Sequence, residues 1–300
     1  MFKKGLWRSL AATLSAIFVV GLCFSLWAFD SRVDIDFALG TSSVRIVGGV
    51  GESQHFTRRT DDIADFMTQQ LELLERINDE ATVLLKNANN TLPLAGGSSV
   101  TLVGTGSRNP VRNVHGVGGI GNIGNDSINL TFRDGLENAG LSVNPTMWNW
   151  YDGRTGNNTA ANPGGFATAN TWLNALPLQA MPGQAQWDSV VDYDDAIIVF
   201  LSRGTGENND RGRDYFQISA TERALVNRAI AEDSNNGNVI LVVNSSTPMQ
   251  IGEFYRNAGI GAILIVGEIG SRGANSLGNI LVGNVNPSGR TNCVCAVYST

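Results

Sequence analysis

Short apolar runs recur along the chain from about residue 100 onward. Each is bounded by turn-forming residues and has the length and the content of β-branched side chains that are typical of a buried strand. These runs predict strands over 100–103, 141–143, 196–201, 239–243 and 262–266. A strand that is apolar at nearly every position is covered on both faces, so the runs indicate a sheet inside the protein rather than at its surface.

Segments with helical periodicity separate these strands. They predict helices over 126–139, 219–231, 248–257 and 273–281. The second of these helices begins with a capping-box spacing, Ser219 to Glu222. Alternating strands and helices form a mainly parallel sheet with helices on both faces. The pattern therefore predicts an α/β fold, a flavodoxin-like three-layer sandwich.

A longer amphipathic helix is expected before the first strand. Apolar residues recur at three- and four-residue steps from Ile63 to Leu84, and two aspartates suit the helix N-terminus. We predict one helix over 61–86. Residues 30–60, which precede it, are mixed in character and are interpreted as a spacer or as a pair of irregular strands.

The first 29 residues differ in kind from the rest. Three basic residues precede an uncharged run, Ser9 to Phe29, which as a helix is about 30 Å long and matches the hydrocarbon core of a bilayer. Trp7 and Trp27 flank the run as interfacial anchors do. Because a cleavable signal peptide has a shorter core and a small-x-small site, we expect an uncleaved transmembrane anchor through residues 7–29. The protein would then be a single-pass cell-membrane protein with its domain outside; secretion after cleavage is the alternative.

Charge and composition exclude several classes of function. The net charge of the 300 residues is −6, and the globular part has no basic cluster, so nucleic-acid binding is not expected. Two histidines and three cysteines provide neither a zinc-ligand spacing nor a disulfide framework, so no metal is expected. Gly119 to Gly124 matches G-x-G-x-x-G but does not directly follow a strand, and no acidic residue follows at the required distance. We therefore expect no cofactor, and we interpret these glycines as the lip of a binding pocket.

A long polar insertion, 148–188, carries the aromatic residues Trp150, Trp172 and Trp187. Because a compact domain seldom contains a structureless loop of this length, a helix is expected within it, near 166–176.

The main chemical candidate is the loop that follows the predicted strand 196–201. Its glycines permit a sharp turn and place Glu207 at the mouth of the sheet, where open α/β sheets bind ligands. Arg203, Asp210 and Arg211 surround it with mixed charge. The loop can be read as an exposed segment with weak ion pairs, or as one in which Asp210 and Arg211 fix the direction of Glu207. A carboxyl group that donates a proton near neutral pH needs a raised pKa.

Four stretches together resemble the second domain of glycoside hydrolase family 3. They are Leu84–Leu94, Ser202–Arg211, Val242–Ser245 and Gly283–Arg290, in the order found in the family, within residues 78–291. The resemblance implies a β-glucosidase-like enzyme that hydrolyses O-glycosyl bonds of β-linked oligosaccharides or glycosides with retention. It implies that Glu207 is the acid/base, and that Asp210, Arg211 and Arg203 order the loop or bind substrate.

The same resemblance implies that the chain is incomplete. The family places its nucleophile on a TIM-barrel domain, for which this chain has no room. We expect 61–300 to be the sandwich domain, truncated after about residue 291, with a barrel encoded downstream, and the chain alone to be inactive. The alternative is a non-catalytic carbohydrate-binding module on the cell surface.

Overall fold

A computed structural model of the chain describes residues 2–32, 35–36, 62–112, 128–152, 180–204, 212–235, 237–245 and 247–291. The chain divides into two compact units, Met1–Arg59 and Thr60–Thr300. The described part of the first unit is dominated by helix α1, Phe2–Asp30. By length and composition α1 can cross a membrane, a test that an N-terminal signal sequence also passes.

The second unit is built on a six-stranded sheet. Its strands are β1 (Val83–Asn87), β2 (Ser99–Val103), β3 (Ser142–Val143), β4 (Ala196–Arg203), β5 (Val239–Ser245) and β6 (Ile260–Ile265), in the spatial order β1-β6-β5-β4-β2-β3. β1 is antiparallel to β6, and the other neighbouring pairs are parallel. Numbered among themselves, the parallel strands have the order 2-1-3-4-5, which is the flavodoxin-like order. Strand order therefore reverses direction between β2 and β4.

Helices cover both faces of this sheet. They are α2 (Ile63–Ala81), α3 (Thr105–Arg108), α4 (Phe132–Asn138), α5 (Pro145–Trp150), α6 (Gln184–Asp188), α7 (Ala220–Glu232), α8 (Gly252–Tyr255) and α9 (Gly273–Leu281). Side chains of β4 alternate between two cores: Phe200 packs with residues of α4 and α9, and Leu201 packs with residues of α7. The predicted three-layer α/β sandwich is confirmed.

Glycines set the distance between α4 and α9. A Cβ atom on Gly135 would lie 2.0 Å from the carbonyl oxygen of Ala274, and one on Gly278 would lie 2.2 Å from that of Gly135. The two helix backbones are therefore in direct contact, which only glycine permits at these positions.

The predicted helix 61–86 is wrong beyond Ala81. The helix begins at Ile63, where the Asp62 side chain accepts a hydrogen bond from the amide of Ala64 at 2.8 Å, and it ends at Ala81. Thr82 is extended, and the next five residues form β1, which pairs with β6 and becomes the edge strand of the sheet. The apolar stripe continued in register past the helix end, but the open edge of β6 favours a strand.

Other predicted helices also differ from the observed ones in their bounds. The helix predicted over 126–139 begins only at Phe132, because Thr131 and Asp134 form a capping box there, and it ends before Gly140, whose φ is +87°. The helix predicted over 248–257 is reduced to one turn. The helices predicted over 219–231 and 273–281 are confirmed, the second with identical bounds. The helix expected near 166–176 and most of the spacer lie outside the described residues.

Candidate active site

The carboxyl ends of β2 and β4 lie side by side at the point where strand order reverses. β2 ends at Val103 and β4 at Arg203, and each is followed by a glycine, Gly104 and Gly204. In an open α/β sheet this is the position at which ligands bind. The loop expected to carry Glu207 leaves the sheet here. Glu207, Asp210 and Arg211 themselves lie outside the described residues, as does the glycine-rich stretch 119–124.

Arg203 is fully buried at the end of β4. Its guanidinium makes two hydrogen bonds to the carboxylate of Glu222, one of them from Nη2 at 2.7 Å, and so forms a buried ion pair. Nε donates to the carbonyl of Tyr215 at 3.1 Å, and Nη2 donates to that of Gln217 at 3.1 Å. These acceptors belong to the chain that returns from the loop. Arg203 therefore holds the chain that returns from the loop.

A second contact joins the two ends of the same loop. The hydroxyl of Tyr215 donates to the carbonyl oxygen of Gly204, and the guanidinium of Arg203 lies 5.8 Å from the centre of the Tyr215 ring. Residues 204 and 215 are thus held together, although eleven positions separate them in sequence. The loop is closed at its base by side chains that are themselves buried.

The short helix α3, which follows β2, approaches β4 closely just beyond the residues that the two strands pair. A Cβ atom on Gly106 would lie 2.0 Å from Oγ of Ser202, so the short helix α3 rests directly on β4. Ser202 is 1% exposed, and its Oγ has no hydrogen-bond partner among the residues that the structure describes. Glycine is required at position 106 for this approach.

Asn244, at the end of β5, fixes a third loop to the same edge. Its Oδ1 accepts from the amide of Val111 at 2.6 Å, and its Nδ2 donates to the carbonyls of Val111 at 2.9 Å and Gly267 at 2.6 Å. Arg112 extends the connection by donating to the carbonyls of Gly270 and Leu130. The end of β5 and the loops after α3 and β6 are therefore tied together.

Tyr151 contacts the residue that follows β2. Its hydroxyl oxygen accepts the amide of Gly104 at 2.8 Å, and its O–H donates to the carbonyl of Ala180 at 3.5 Å. Burial raises the pKa of the Tyr151 hydroxyl, because a buried phenolate would lose its hydration. The side chain is thus a neutral structural link and not an acid.

The described part of the site is a frame of hydrogen-bonded side chains at the carboxyl edge of the sheet. Glu222 is neutralised by Arg203, and no group of three or more metal-ligating side chains lies among the described residues. The sequence predicted the capping-box role of Glu222, and the structure confirms it. The sequence did not predict the pairing of Glu222 with Arg203. A usable signal existed: an arginine that ends a buried strand needs a buried anion. No comparable signal in the sequence indicated the hydrogen-bonding roles of Asn244 and Tyr151.

The sequence matches a known family over most of its length. Residues 82–297 match the family described as the glycosyl hydrolase family 3 C-terminal domain. The chain belongs to this family. The match covers every strand of the sheet and the loop between Gly204 and Gly212.

Two curated relatives show the extent of the similarity. A probable beta-glucosidase D of Emericella nidulans is 27% identical over 256 residues, which are 79% of this chain and 29% of the relative. Beta-glucosidase A of Aspergillus kawachii is 29% identical over 230 residues, 73% of this chain and 24% of the relative. The chain therefore spans less than a third of the length of these proteins.

Solved structures share the fold. A beta-glucosidase from Paenibacillus barengoltzii superposes with a TM-score of 0.61 at 22% identity, over 72% of this chain and 23% of that protein. Beta-glucosidase 3B from Thermotoga neapolitana, solved in complex with glucose, superposes with a TM-score of 0.57 at 20% identity, over 74% of this chain and 30% of that protein. The fold of the second unit is thus that of one domain in larger proteins.

Proposed function

We propose that this chain contributes the acid/base carboxylate, Glu207, to the retaining hydrolysis of a β-glucoside. The observation that carries the proposal is the place where the loop is attached. Its two ends are held by Arg203 and Tyr215 at the carboxyl edge of β4, beside β2, where α/β sheets bind ligands. Membership of the family and the β-glucosidase relatives support the same activity.

The chemistry requires two carboxyl groups about 5 Å apart. The acid form of Glu207 would give its proton to the glycosidic oxygen while the bond from that oxygen to the anomeric carbon breaks and a nucleophile bonds to the carbon. The resulting Glu207 carboxylate would then take a proton from water as the water oxygen displaces the nucleophile. Asp210 and Arg211 would hold the loop so that Glu207 faces the substrate.

The nucleophile would come from a second domain. The relatives extend well beyond the part that this chain covers. We infer that a TIM-barrel domain completes the site and that the chain by itself does not turn over substrate.

The test uses the full chain with and without a complementing domain. Alone, it is expected to leave an aryl β-glucoside intact. Co-expressed with the uncovered portion of the Emericella nidulans relative, it should hydrolyse the substrate, and Glu207→Gln should lower the rate at least about 100-fold, as for loss of a general acid. Azide should partly restore the rate with an activated leaving group. The exposed carboxylate Glu72, changed to Gln, is the control. Full activity of Glu207→Gln would refute the assignment.

The alternative, a carbohydrate-binding module, loses part of its support. Trp187, an aromatic of the insertion, is 3% exposed and packs in the core, and Trp148 at its start is equally buried beneath Arg108. Buried rings cannot stack on a sugar. Trp172 lies outside the described residues. Calorimetric titration with glucose and cello-oligosaccharides would favour the module if the chain binds without turnover in any combination.

We further propose that α1 anchors the chain in the cell membrane with the second unit outside. The length and apolar composition of α1 support a single span, and the basic residues before it favour a cytoplasmic N-terminus. Carbonate extraction and protease accessibility of intact cells test this. A protein released into the medium with residues 1–29 removed would instead support secretion.

A further inference from the structure

The chain that leads to Glu207 leaves β4 through a residue that does not fix its own backbone path. Gly204 follows the last residue of the strand, and no atom lies within 4 Å of a Cβ placed on it. Lack of space therefore does not require glycine here, and its φ lies outside the left-handed region. Because glycine allows more backbone conformations than any other residue, the path of the chain at this point depends on other contacts.

The hydroxyl of Tyr215 supplies such a contact. It donates a hydrogen bond to the carbonyl oxygen of Gly204. That oxygen belongs to the planar peptide unit that joins residues 204 and 205, so a bond to it fixes the plane of the unit and the direction in which the next residue starts. Glu207 lies three residues beyond Gly204 in the sequence. The bond therefore acts on the peptide from which the path to Glu207 begins.

The Tyr215 hydroxyl is itself held in place. Tyr215 is 4% exposed and lies in the short 3-10 helix Arg213–Phe216. Its carbonyl oxygen accepts a hydrogen bond from Nε of Arg203 at 3.1 Å. The carbonyl oxygen of the next residue, Phe216, accepts one from the amide of Gln250 at 2.8 Å. The donor is thus attached to β4 and to the segment after β5 by bonds that involve none of the residues between Gly204 and Gly212.

We propose that Tyr215 is a positioning residue for the acid/base step. Its hydroxyl directs the chain so that the carboxyl group of Glu207 reaches the glycosidic oxygen, and the inference therefore rests on the proposed function. The Tyr215 side chain is buried, so it acts through the loop and is not a catalytic residue. Because a general acid must lie within hydrogen-bond reach of the atom that it protonates, a small change in chain direction affects proton transfer more than it affects binding.

The role of Tyr215 can be separated from that of Arg203 by mutation. Arg203 contacts the returning chain and the carboxylate of Glu222, so its loss disturbs several segments at once. Tyr215→Phe removes only a hydroxyl group. It keeps the ring and the backbone carbonyl that Arg203 binds. The matched control is Tyr255→Phe, because Tyr255 lies on α8 and is 50% exposed.

Two leaving groups test the proposal in the chain complemented by the uncovered portion of the Emericella nidulans relative. A dinitrophenyl group leaves without a proton, whereas an alkyl group needs one from the general acid. Tyr215→Phe should lower kcat/KM at least about tenfold for an alkyl β-glucoside and less than about threefold for the dinitrophenyl β-glucoside, within the roughly 10²–10⁴-fold that a general acid contributes. Glu207→Gln should show the same selectivity more strongly, and Tyr255→Phe should change neither rate.

The outcomes distinguish this inference from the proposed function. A structural defect lowers both rates alike. Selective loss in Glu207→Gln combined with equal losses, or none, in Tyr215→Phe would therefore overturn the positioning role and leave the acid/base assignment intact. Full activity of Glu207→Gln, or an inactive complemented wild type, would refute the proposed function and this inference with it.

Isotope labelling measures the contact directly in the full chain, without a complementing domain. With ¹³C in the glycine carbonyls and ¹⁵N in the threonine amides, only Gly–Thr pairs give a signal in a carbonyl–amide correlation spectrum, and they occur at 40, 104 and 204. Loss of the hydrogen bond in Tyr215→Phe should shift the Gly204 carbonyl resonance to lower frequency. The Gly104 resonance should stay in place, which also shows that the variant is folded. A Gly204 resonance that does not move would overturn the proposal.

Discussion

Arg203 and Glu222 form an ion pair from which solvent is completely excluded, at the carboxyl end of the central strand β4. The pair joins the strand to the first turn of α7, and the same guanidinium holds the chain that returns from the loop of Glu207. One arginine thus connects three separate segments around the candidate site.

Breaking this pair should destabilise the fold strongly. Glu222→Ala leaves a buried positive charge without a partner, and we expect a loss of about 3–5 kcal/mol in the free energy of unfolding. The double variant Arg203→Met/Glu222→Leu should lose less than the sum of the single changes, because it removes both charges. Urea unfolding measures each. The control is Glu253→Gln, whose exposed pair with Arg223 should contribute no more than about 1 kcal/mol. Equal losses in both pairs would contradict the prediction.

Gly135→Ala should destabilise the protein, although alanine is the better helix former. The new Cβ would lie 2.0 Å from the carbonyl oxygen of Ala274, so α4 and α9 must separate. The expected loss is about 1–3 kcal/mol, as for overpacking of a core. Thermal unfolding compares it with Gly96→Ala, where no atom lies within 4 Å of the new Cβ and stability should change little.

Alkaline pH should destabilise the wild type more than Tyr151→Phe. The pKa of the buried hydroxyl is raised in the folded state, so its contribution is present below the unfolded value of about 10 and is lost as pH rises above it. Between pH 9 and 11, the unfolding free energy of the wild type should fall more steeply, by at most about 1.4 kcal/mol per pH unit. Parallel slopes would show that Tyr151 ionises as easily folded as unfolded. At pH 7 the variant should lose about 1–3 kcal/mol, because the amide of Gly104 loses its acceptor.

Asn244→Asp should destabilise the edge that carries the site. The substitution preserves the shape but removes the donor to the carbonyls of Val111 and Gly267 and adds a buried charge beside them. We expect a loss of about 3 kcal/mol in urea unfolding, the cost of unsatisfied buried polar groups. Asn284→Asp, on an exposed turn, is the matched control and should be close to neutral. A neutral Asn244→Asp would mean that these bonds do not hold the loops.

Local patterns in the sequence predicted most of the sheet and several helix ends. The apolar runs located β2, β4, β5 and β6, and Ser219 and Gly140 marked a helix start and a helix stop that the structure confirms. They succeed because the burial of a strand and the capping of a helix depend on residues within a few positions of each other. The loop of Glu207 was likewise located by the strand and the glycines beside it, and the role of Glu207 stays a prediction.

Other features depend on residues far apart in the chain, and only the tertiary structure decided them. The helical stripe of α2 continues through Leu84, yet residues 83–87 form a strand because the edge of β6 offers backbone partners. Glu222 has the spacing of a helix cap, and only the packing of α7 against β4 shows that it also neutralises Arg203. The sequence by itself thus determined which segments are buried and how they begin and end. Which of them meet, and which charges they bury together, follows from pairing across the sheet, because local periodicity carries no information about distant partners.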